Sequence, residues 1–328
     1  MFKIIVIGIG SIGKRHVSNL IRLGYKNLTL ITSKPTLGSE YEGFFSSKSL
    51  SELMPDHDYS HAIICSPTAS HVADLKACIE LGVRHIYLEK PVSHTLEGID
   101  EIHNLILKNK VRIQVGFDLH FDPGLTKAKE ILESGILGKI YSANAFVGQY
   151  LPDWRPHENY KLGMSASKAK GGGVMLDLVH EFDYIRWLMG IPELIFSSYQ
   201  HNDALGIETE DLADVLIRHK NGANSSIHLD YHQRKLIRFC LFTGENGTLH
   251  WDLAERNLKL ISKGAHVESF DFSSFERNDR YLEIMRAFLE NPLDPRLTSF
   301  EEAIVSLKMV LASKIASEKK SVIEFANI

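Results

Sequence analysis

Two short segments hold most of the groups in this chain that could do chemistry. In GGGVMLDLVHEFDYIRWL, residues 171–188, three glycines lead into a helical spacing that carries Asp177, His180, Glu181, Asp183 and Tyr184. In YLEKPVSH, Glu89, Lys90 and Pro91 follow an apolar run of strand length. On one helix Asp177, His180, Glu181 and Tyr184 would follow i, i+3, i+4, i+7 and share a face. Val174, Leu178, Phe182, Ile185 and Met189 would form the apolar stripe beside them. That divides the helix into a side for the core and a side for acid–base work. A histidine titrates near neutrality and suits the removal of a hydroxyl proton. Lys90 could polarise the same oxygen, or exchange the proton if a neighbouring positive charge lowers its pKa. Asp177 could orient either group or bind an adjacent hydroxyl. Gly171 to Gly173 would let the helix start approach a ligand closely. A metal set of Asp177, His180, Glu181 and Asp183 also fits by residue type. Asp183 points elsewhere on such a helix and a third ligand is not identified, so no metal is expected.

The second chemical signal is Gly8, Gly10 and Gly13, a G-x-G-x-x-G directly after the apolar run KIIVIG. The three glycines allow, in turn, a tight turn, a close backbone approach to a pyrophosphate, and close helix–strand packing. The following helix start, with Ser11 and Ile12, offers free N–H groups and a positive dipole end to phosphates. This strand–turn–helix context points to a bound dinucleotide. An acidic residue that grips the adenosine ribose usually lies about 20 residues beyond the loop. Here the chain reads Thr32, Ser33, Lys34, with no carboxylate before Glu40. A hydroxyl and a lysine suit a 2′-phosphate better than a bare ribose, so NADP(H) is favoured over NAD(H). Ser66, Pro67, Thr68 and His71, after a third strand, and Glu89 and Lys90, after a fourth, would line the cofactor at the carboxyl edge of a parallel sheet.

These groups need elements to hold them, and the pattern of the chain supplies two kinds. Up to residue 121, unalternated apolar strands (KIIVIG, NLTLIT, HAIICS, HIYLEK, VRIQVGF) take turns with helical segments. That is the pattern of an α/β domain with a doubly wound parallel sheet. Residues 122–328 change character: one helix, a strand, a polar loop, the 171–188 helix, then mostly strands from 193 to about 273. They read as an α+β domain with a large, mostly antiparallel open sheet. A closing helix, about 299–318, is a candidate to pack back on the first domain. The 328 residues suit two domains, and 44% apolar with 24% charged residues is ordinary for globular chains. A net charge of −4 gives no footprint for nucleic acid. The N-terminus lacks a basic start and a small-residue cleavage site, and no run of about 20 apolar residues would span a membrane. Cys65, Cys78 and Cys240 lack paired spacing and read as buried thiols of a cytoplasmic protein.

Six motifs in order, GIGSIGKRH, SPTASH, EKP, VGFDLHFDP, GGGVMLDLVHEFD and GENGTLHWD, make the chain resemble the Gfo/Idh/MocA family (glucose–fructose oxidoreductase and inositol 2-dehydrogenase) over nearly its whole length. The resemblance implies an N-terminal Rossmann domain, and a C-terminal domain whose open sheet mediates homodimers or homotetramers. It also implies hydride transfer between NAD(P) and a hydroxyl carbon of a sugar, cyclitol or nucleotide sugar. Lys90, Asp177 and His180 match the family's catalytic Lys, Asp and His. Two departures stand out: His120 lies where the family often has Arg, and Asp177 and His180 are three rather than four residues apart. In the loop GQYLPDWRPHENYKLG, Tyr150, Trp154, Arg155 and Tyr160 combine aromatic platforms with a cation, which suits an anionic sugar. His120 is assigned to the same pocket. The alternatives are a biliverdin-reductase-like reductase on this fold, or a non-catalytic dinucleotide-binding regulator. Retention of the Lys–Asp–His set argues against both.

Overall fold

The computed structural model describes residues 2–33, 38–53 and 58–328. The chain forms two compact units, Met1–Phe117 with Tyr281–Ile304, and Asp118–Arg280 with Val305–Ile328. The first unit is thus discontinuous. It takes residues 281–304, which a linear division at 121/122 gives to the second domain.

The first unit begins β1 (Ile4–Ile7), α1 (Ser11–Arg22), β2 (Leu28–Ile31), β3 (Phe45–Ser47) and β4 (His61–Ile64). It continues α2 (His71–Glu80), β5 (His85–Leu88), α3 (Ile99–Asn109) and β6 (Arg112–Val115). The strands β3, β2, β1, β4, β5, β6 lie side by side in that order, all parallel. Every residue of β1, β2 and β4 is buried, which is why these strands read as largely apolar runs rather than alternating ones, with Thr29 and His61 the polar members. The order reverses between β1 and β4, and such a switch point opens a crevice at the carboxyl ends of the strands. The spacing predicts a helix from Thr95, but α3 starts only at Ile99, because Gly98 takes a left-handed φ of 76° in front of it.

The second unit contains α4 (Pro123–Glu133), β7 (Ile140–Gly148), α5 (Val174–Asp177), α6 (His180–Met189), β8 (Pro192–Gln200), β9 (Leu212–His219) and β10 (Asn224–Asp230). Then come β11 (Ile237–Gly244), β12 (Gly247–Asp252), β13 (Asn257–Ser262) and β14 (His266–Asp271). α7 (Arg277–Glu290) and β15 (Thr298–Ser299) lead back into the first unit, where β15 adds an antiparallel edge strand to β6. α8 (Phe300–Lys319) and β16 (Ile323–Glu324) end the chain. Nine strands form one sheet, β14-β13-β12-β11-β7-β10-β9-β8-β16, antiparallel except for the central β7–β10 pair. Its strands alternate. Val215, Ile217, Ile227, Leu229, Cys240 and Trp251 are buried on one face, while Phe196, Leu216 and Ile261 on the other are exposed. Cys65, Cys78 and Cys240 are buried free thiols. Among the described residues, no helix is long and apolar enough to cross a membrane.

The spacing predicts one continuous helix from Val174, and here the structure differs. Leu178 leaves helical geometry (φ −99°, ψ 32°), so Asp177 ends α5 and His180 begins α6. The two short helices are anchored separately. Val174 N–H donates to Glu210 O (3.0 Å), while α6 is tied by its side chains to other strands and loops. The α7 helix has no counterpart in the sequence pattern, although Leu282, Met285, Phe288 and Leu289 on it are buried.

Candidate active site

The first unit offers mainly backbone. Gly8 has φ 86°, and a Cβ there would meet Cys65 O and Ser66 N at 2.6 Å, so only glycine allows the β1 and β4 ends this close. A Cβ on Gly13 would run into Gly8 O, which is the helix–strand packing role. Gly10 differs: a Cβ there would meet no protein atom within 4 Å. Glycine at that place leaves a cradle that a side chain would fill. Gly10 caps α1 without a side-chain hydrogen bond, and no acidic residue lies in the first turn. The helix start, with Ser11 and Ile12, therefore keeps its N–H groups and positive end for an anion. These features fit the pyrophosphate of a dinucleotide. Ser33 is exposed just beyond β2; Lys34 lies outside the described residues.

At the neighbouring strand ends, Ser66 Oγ donates to Asp74 Oδ2 (2.5 Å). Thr68 is buried, whereas Pro67 is exposed. His71 is 1% exposed, and its ring nitrogens meet Pro91 O (2.8 Å) and Ser66 O (3.0 Å). Burial pulls its pKa down against those carbonyls. Glu89 is buried and accepts a hydrogen bond from His16 Nε2 (2.7 Å). Lys90 is half-buried just past β5.

The second unit offers buried side chains. Asp177 is 6% exposed, and its Oδ2 accepts the Tyr231 hydroxyl at 2.6 Å. Burial and the Asp177 carboxylate push the Tyr231 phenol well above its ordinary value, so it stays the donor. Trp154 packs edge-on against Tyr231, with ring centroids 5.3 Å apart, and donates from Nε1 to Gln149 O (3.2 Å). His180 is 8% exposed and lies 3.4 Å from Asp118 Oδ1 through Nε2. Arg280 donates from Nε to Asp118 Oδ2 (2.9 Å) and reaches Asp122 Oδ2 (3.4 Å). Burial alone would raise the Asp118 carboxyl, but Arg280 and His180 outweigh it and bring it down to about 2. Asp118 is thus a fixed anion beside the imidazole, the arrangement that orients a catalytic base.

The other groups of the expected cluster turn away from chemistry. Glu181 is fully buried in a two-pronged pair with Arg238, Nε to Oε1 2.7 Å and Nη2 to Oε2 2.8 Å. Tyr184 is fully buried and lies edge-on to Trp251. Asp183 pairs with His120 Nε2 (2.6 Å), Arg186 Nη2 (3.2 Å) and Ser306 Oγ (3.1 Å). His120, expected in the substrate pocket, is instead 2% exposed and stacked 3.9 Å from Trp187. The four acid–base groups weighed as a metal set thus go to four different partners. Among the described residues, no three metal-ligating side chains are placed to hold an ion. The triple glycine does not open onto a ligand either. Gly172 approaches Met164 O and Ser165 O, and Gly173 approaches the Glu210 carboxylate, so protein groups fill that space rather than a ligand.

The specificity loop is scattered. Arg234 stacks on Tyr150, 3.8 Å from the ring centroid. Arg155 is exposed and 3.6 Å from Glu158. Tyr160 donates to Leu205 O (3.0 Å). Lys161 and Leu162 at the end of the loop line a recess of about 390 Å³ together with Ser167, Lys170, Gly206 and Glu208; neither Asp177 nor His180 lines it. Asp118, Arg280, Tyr231 and His16 do not stand out in the sequence. The carboxylates of VGFDLHFDP are the one available signal, and their partners lie far away along the chain.

The comparisons follow the same two-part division. Residues 2–117 match the model of an oxidoreductase family with an NAD-binding Rossmann fold, and residues 125–250 match the GFO/IDH/MocA C-terminal domain. Myo-inositol 2-dehydrogenase of Thermotoga maritima is 27% identical, with 98% of each chain covered. An uncharacterised oxidoreductase of Bacillus subtilis is 31% identical over 191 residues, 56% of this chain; the match spans about half of that relative's length, 53%. Among solved structures, levoglucosan dehydrogenase in complex with NADH superposes with a TM-score of 0.86 over 99% of both chains at 19% identity, which shows a shared fold.

Proposed function

The chain belongs to the Gfo/Idh/MocA oxidoreductase family, and on that premise we propose that it transfers a hydride between a nicotinamide cofactor and a hydroxyl carbon of a sugar or cyclitol. The observation that carries the reading is the buried His180–Asp118–Arg280 line, three residues on from the Asp177–Tyr231 pair. It is the equipment of an alcohol dehydrogenase: a base, a fixed anion that orients it, and a carboxylate held by a donor. Bound in the Gly8–Gly13 loop, the nicotinamide cofactor supplies the hydride acceptor or donor. The protein's part is the proton. His180 takes the hydroxyl proton as the carbon gives up hydride, and returns it in the reverse direction. Asp118 fixes the imidazole and stabilises its charged form. Asp177, held by Tyr231, binds a hydroxyl of the substrate. Lys90 polarises the reacting oxygen.

Tyr150, Trp154, Arg155 and Tyr160 select the substrate, with Trp154 acting through Tyr231. The substrate class is supported by the names of the relatives, a myo-inositol and a levoglucosan dehydrogenase. NADP(H) is the favoured cofactor, supported by Ser33 and Lys34 in place of a ribose-binding carboxylate. The protein forms a homodimer or homotetramer through the open face of the nine-stranded sheet, supported by exposed Phe196, Leu216 and Ile261 there. It is cytoplasmic, supported by its three buried free thiols.

The test is hydride transfer itself. Purified protein is titrated with NADPH and NADH by fluorescence, then assayed with each oxidised cofactor against cyclitols, aldoses, anhydrosugars and nucleotide sugars. Binding, with turnover of at least one polyol class, is expected. A folded protein that binds neither cofactor would end the enzyme reading.

A further inference from the structure

Two buried histidines bracket Lys90. His16, on α1 just after the phosphate loop, is 0% exposed, and its Nε2 donates to the side chain of Glu89, the residue before the lysine (2.7 Å). Its ring also packs edge-on against Tyr87, two residues further back on the same strand (5.1 Å). His71, first residue of α2, meets the carbonyl of Pro91, the residue after the lysine, through Nδ1 (2.8 Å). Its Nε2 meets Ser66 O (3.0 Å), so the same ring ties the β4 end to the β5 end. Gly116 closes the third side: a Cβ there would meet Tyr87 Oη at 2.5 Å and Glu89 Oε1 at 3.3 Å. Neither histidine has the exposure needed to touch a ligand, although His71 was expected among the cofactor-lining residues.

We propose that His16 and His71 are positioning residues that fix Lys90 from its two neighbours, coupling the phosphate-loop helix and the Ser66 turn to the reactive lysine. The proposal rests on the role given to Lys90 above. A lysine has a long flexible stem, and its backbone must be held before its ammonium can be aimed. The α1 and α2 helices both start at loops that hold the cofactor. Through His16 and His71 those loops and the residues flanking Lys90 form one rigid piece, so a displacement of one loop is carried to Lys90.

Substitutions that keep one ring nitrogen's donor and drop the other separate positioning from mere packing. An asparagine amide stands near the Nδ1 place and a glutamine amide near the Nε2 place. His71→Asn should keep the Pro91 contact and His71→Gln should lose it. His16→Gln should keep the Glu89 contact and His16→Asn should lose it. The amines of each folded variant are reductively methylated with carbon-13, with Lys90 assigned through Lys90→Arg, and kcat, KM and the NADH and NADPH dissociation constants are measured alongside. The expected result is that H71N and H16Q stay near wild type. H71Q and H16N should shift or broaden the Lys90 resonance and lower kcat about tenfold, with KM and dissociation constants little changed. If the two members of each pair behave alike, or the Lys90 signal is the same in all four, the proposal is overturned. If the wild type turns over no polyol, the functional reading fails, while the resonance still decides the positioning.

Discussion

At Gly10 a methyl group would meet no protein atom within 4 Å, whereas at Gly173 it would run into the Glu210 carboxylate, itself paired with Lys314. Both glycines sit at the entrance to a helix that carries the site. The first leaves room for something the protein does not contain; the second admits part of the protein. The contrast extends to the two units. The first turns backbone toward a cradle, with His16 and His71 buried behind it. The second buries charged side chains that neutralise each other out of water. A change at the open cradle of the first, at Gly10, should therefore be felt as lost binding with the fold intact. A change in the second should be felt first as lost stability.

The largest effect should come from Arg280→Leu. It leaves Asp118 and Asp122 buried without their guanidinium, which costs about 3–5 kcal/mol. Chemical denaturation should show this, and a midpoint near wild type would break the contrast. Gly173→Ala comes next. Its φ of 118° lies in the region that side chains rarely adopt, and the methyl displaces Glu210. A loss of about 3 kcal/mol is expected from strain and displacement together, read as a lowered melting temperature.

Asp118 sharpens the same point through pH. Its folded value of about 2 lies below the usual 3.8, so its contribution is present above the unfolded value and lost as pH falls from about 4 toward 2. The amount is on the order of 2 kcal/mol. Wild type should therefore lose more stability than Asp118→Asn between pH 6 and pH 3 in parallel denaturant series; equal losses would contradict the assignment. The smallest change in free energy is expected at Gly10→Ala, on the other side of the contrast. The cofactor dissociation constant should rise about tenfold, equivalent to about 1.4 kcal/mol, while the melting temperature stays put. A fall in melting temperature with unchanged binding would reverse the roles given to the two glycines.

The same contrast explains what could be read from the residues alone. The phosphate loop, the strand ends with Ser66 and Glu89, and the parallel order of the sheet are local patterns, written within a few residues of each other. The pairs of the second unit are not. Asp118 meets Arg280 across 162 positions, Tyr231 meets Asp177 across 54, and Arg238 meets Glu181 across 57. Helical spacing places Asp177, His180, Glu181 and Tyr184 on one face, but it cannot see the break at Leu178 or the arginine that takes Glu181 into the core. His120 reads as a substrate residue because its partner Asp183 lies far along the chain, on α6. The edge strand β15 and most of the helix α7 escape notice for a related reason: they belong to the first unit but lie in the chain between two stretches of the second.

The measurement that bears most directly on the whole account is Lys90→Met, assayed for cofactor binding and for turnover in the same preparation. The substitution keeps the stem and removes the ammonium. The account predicts an unchanged cofactor dissociation constant and a kcat at least about 100-fold lower on whichever polyol the wild type oxidises. Turnover within a few-fold of wild type would contradict it, because the group assigned to polarise the reacting oxygen would then be dispensable.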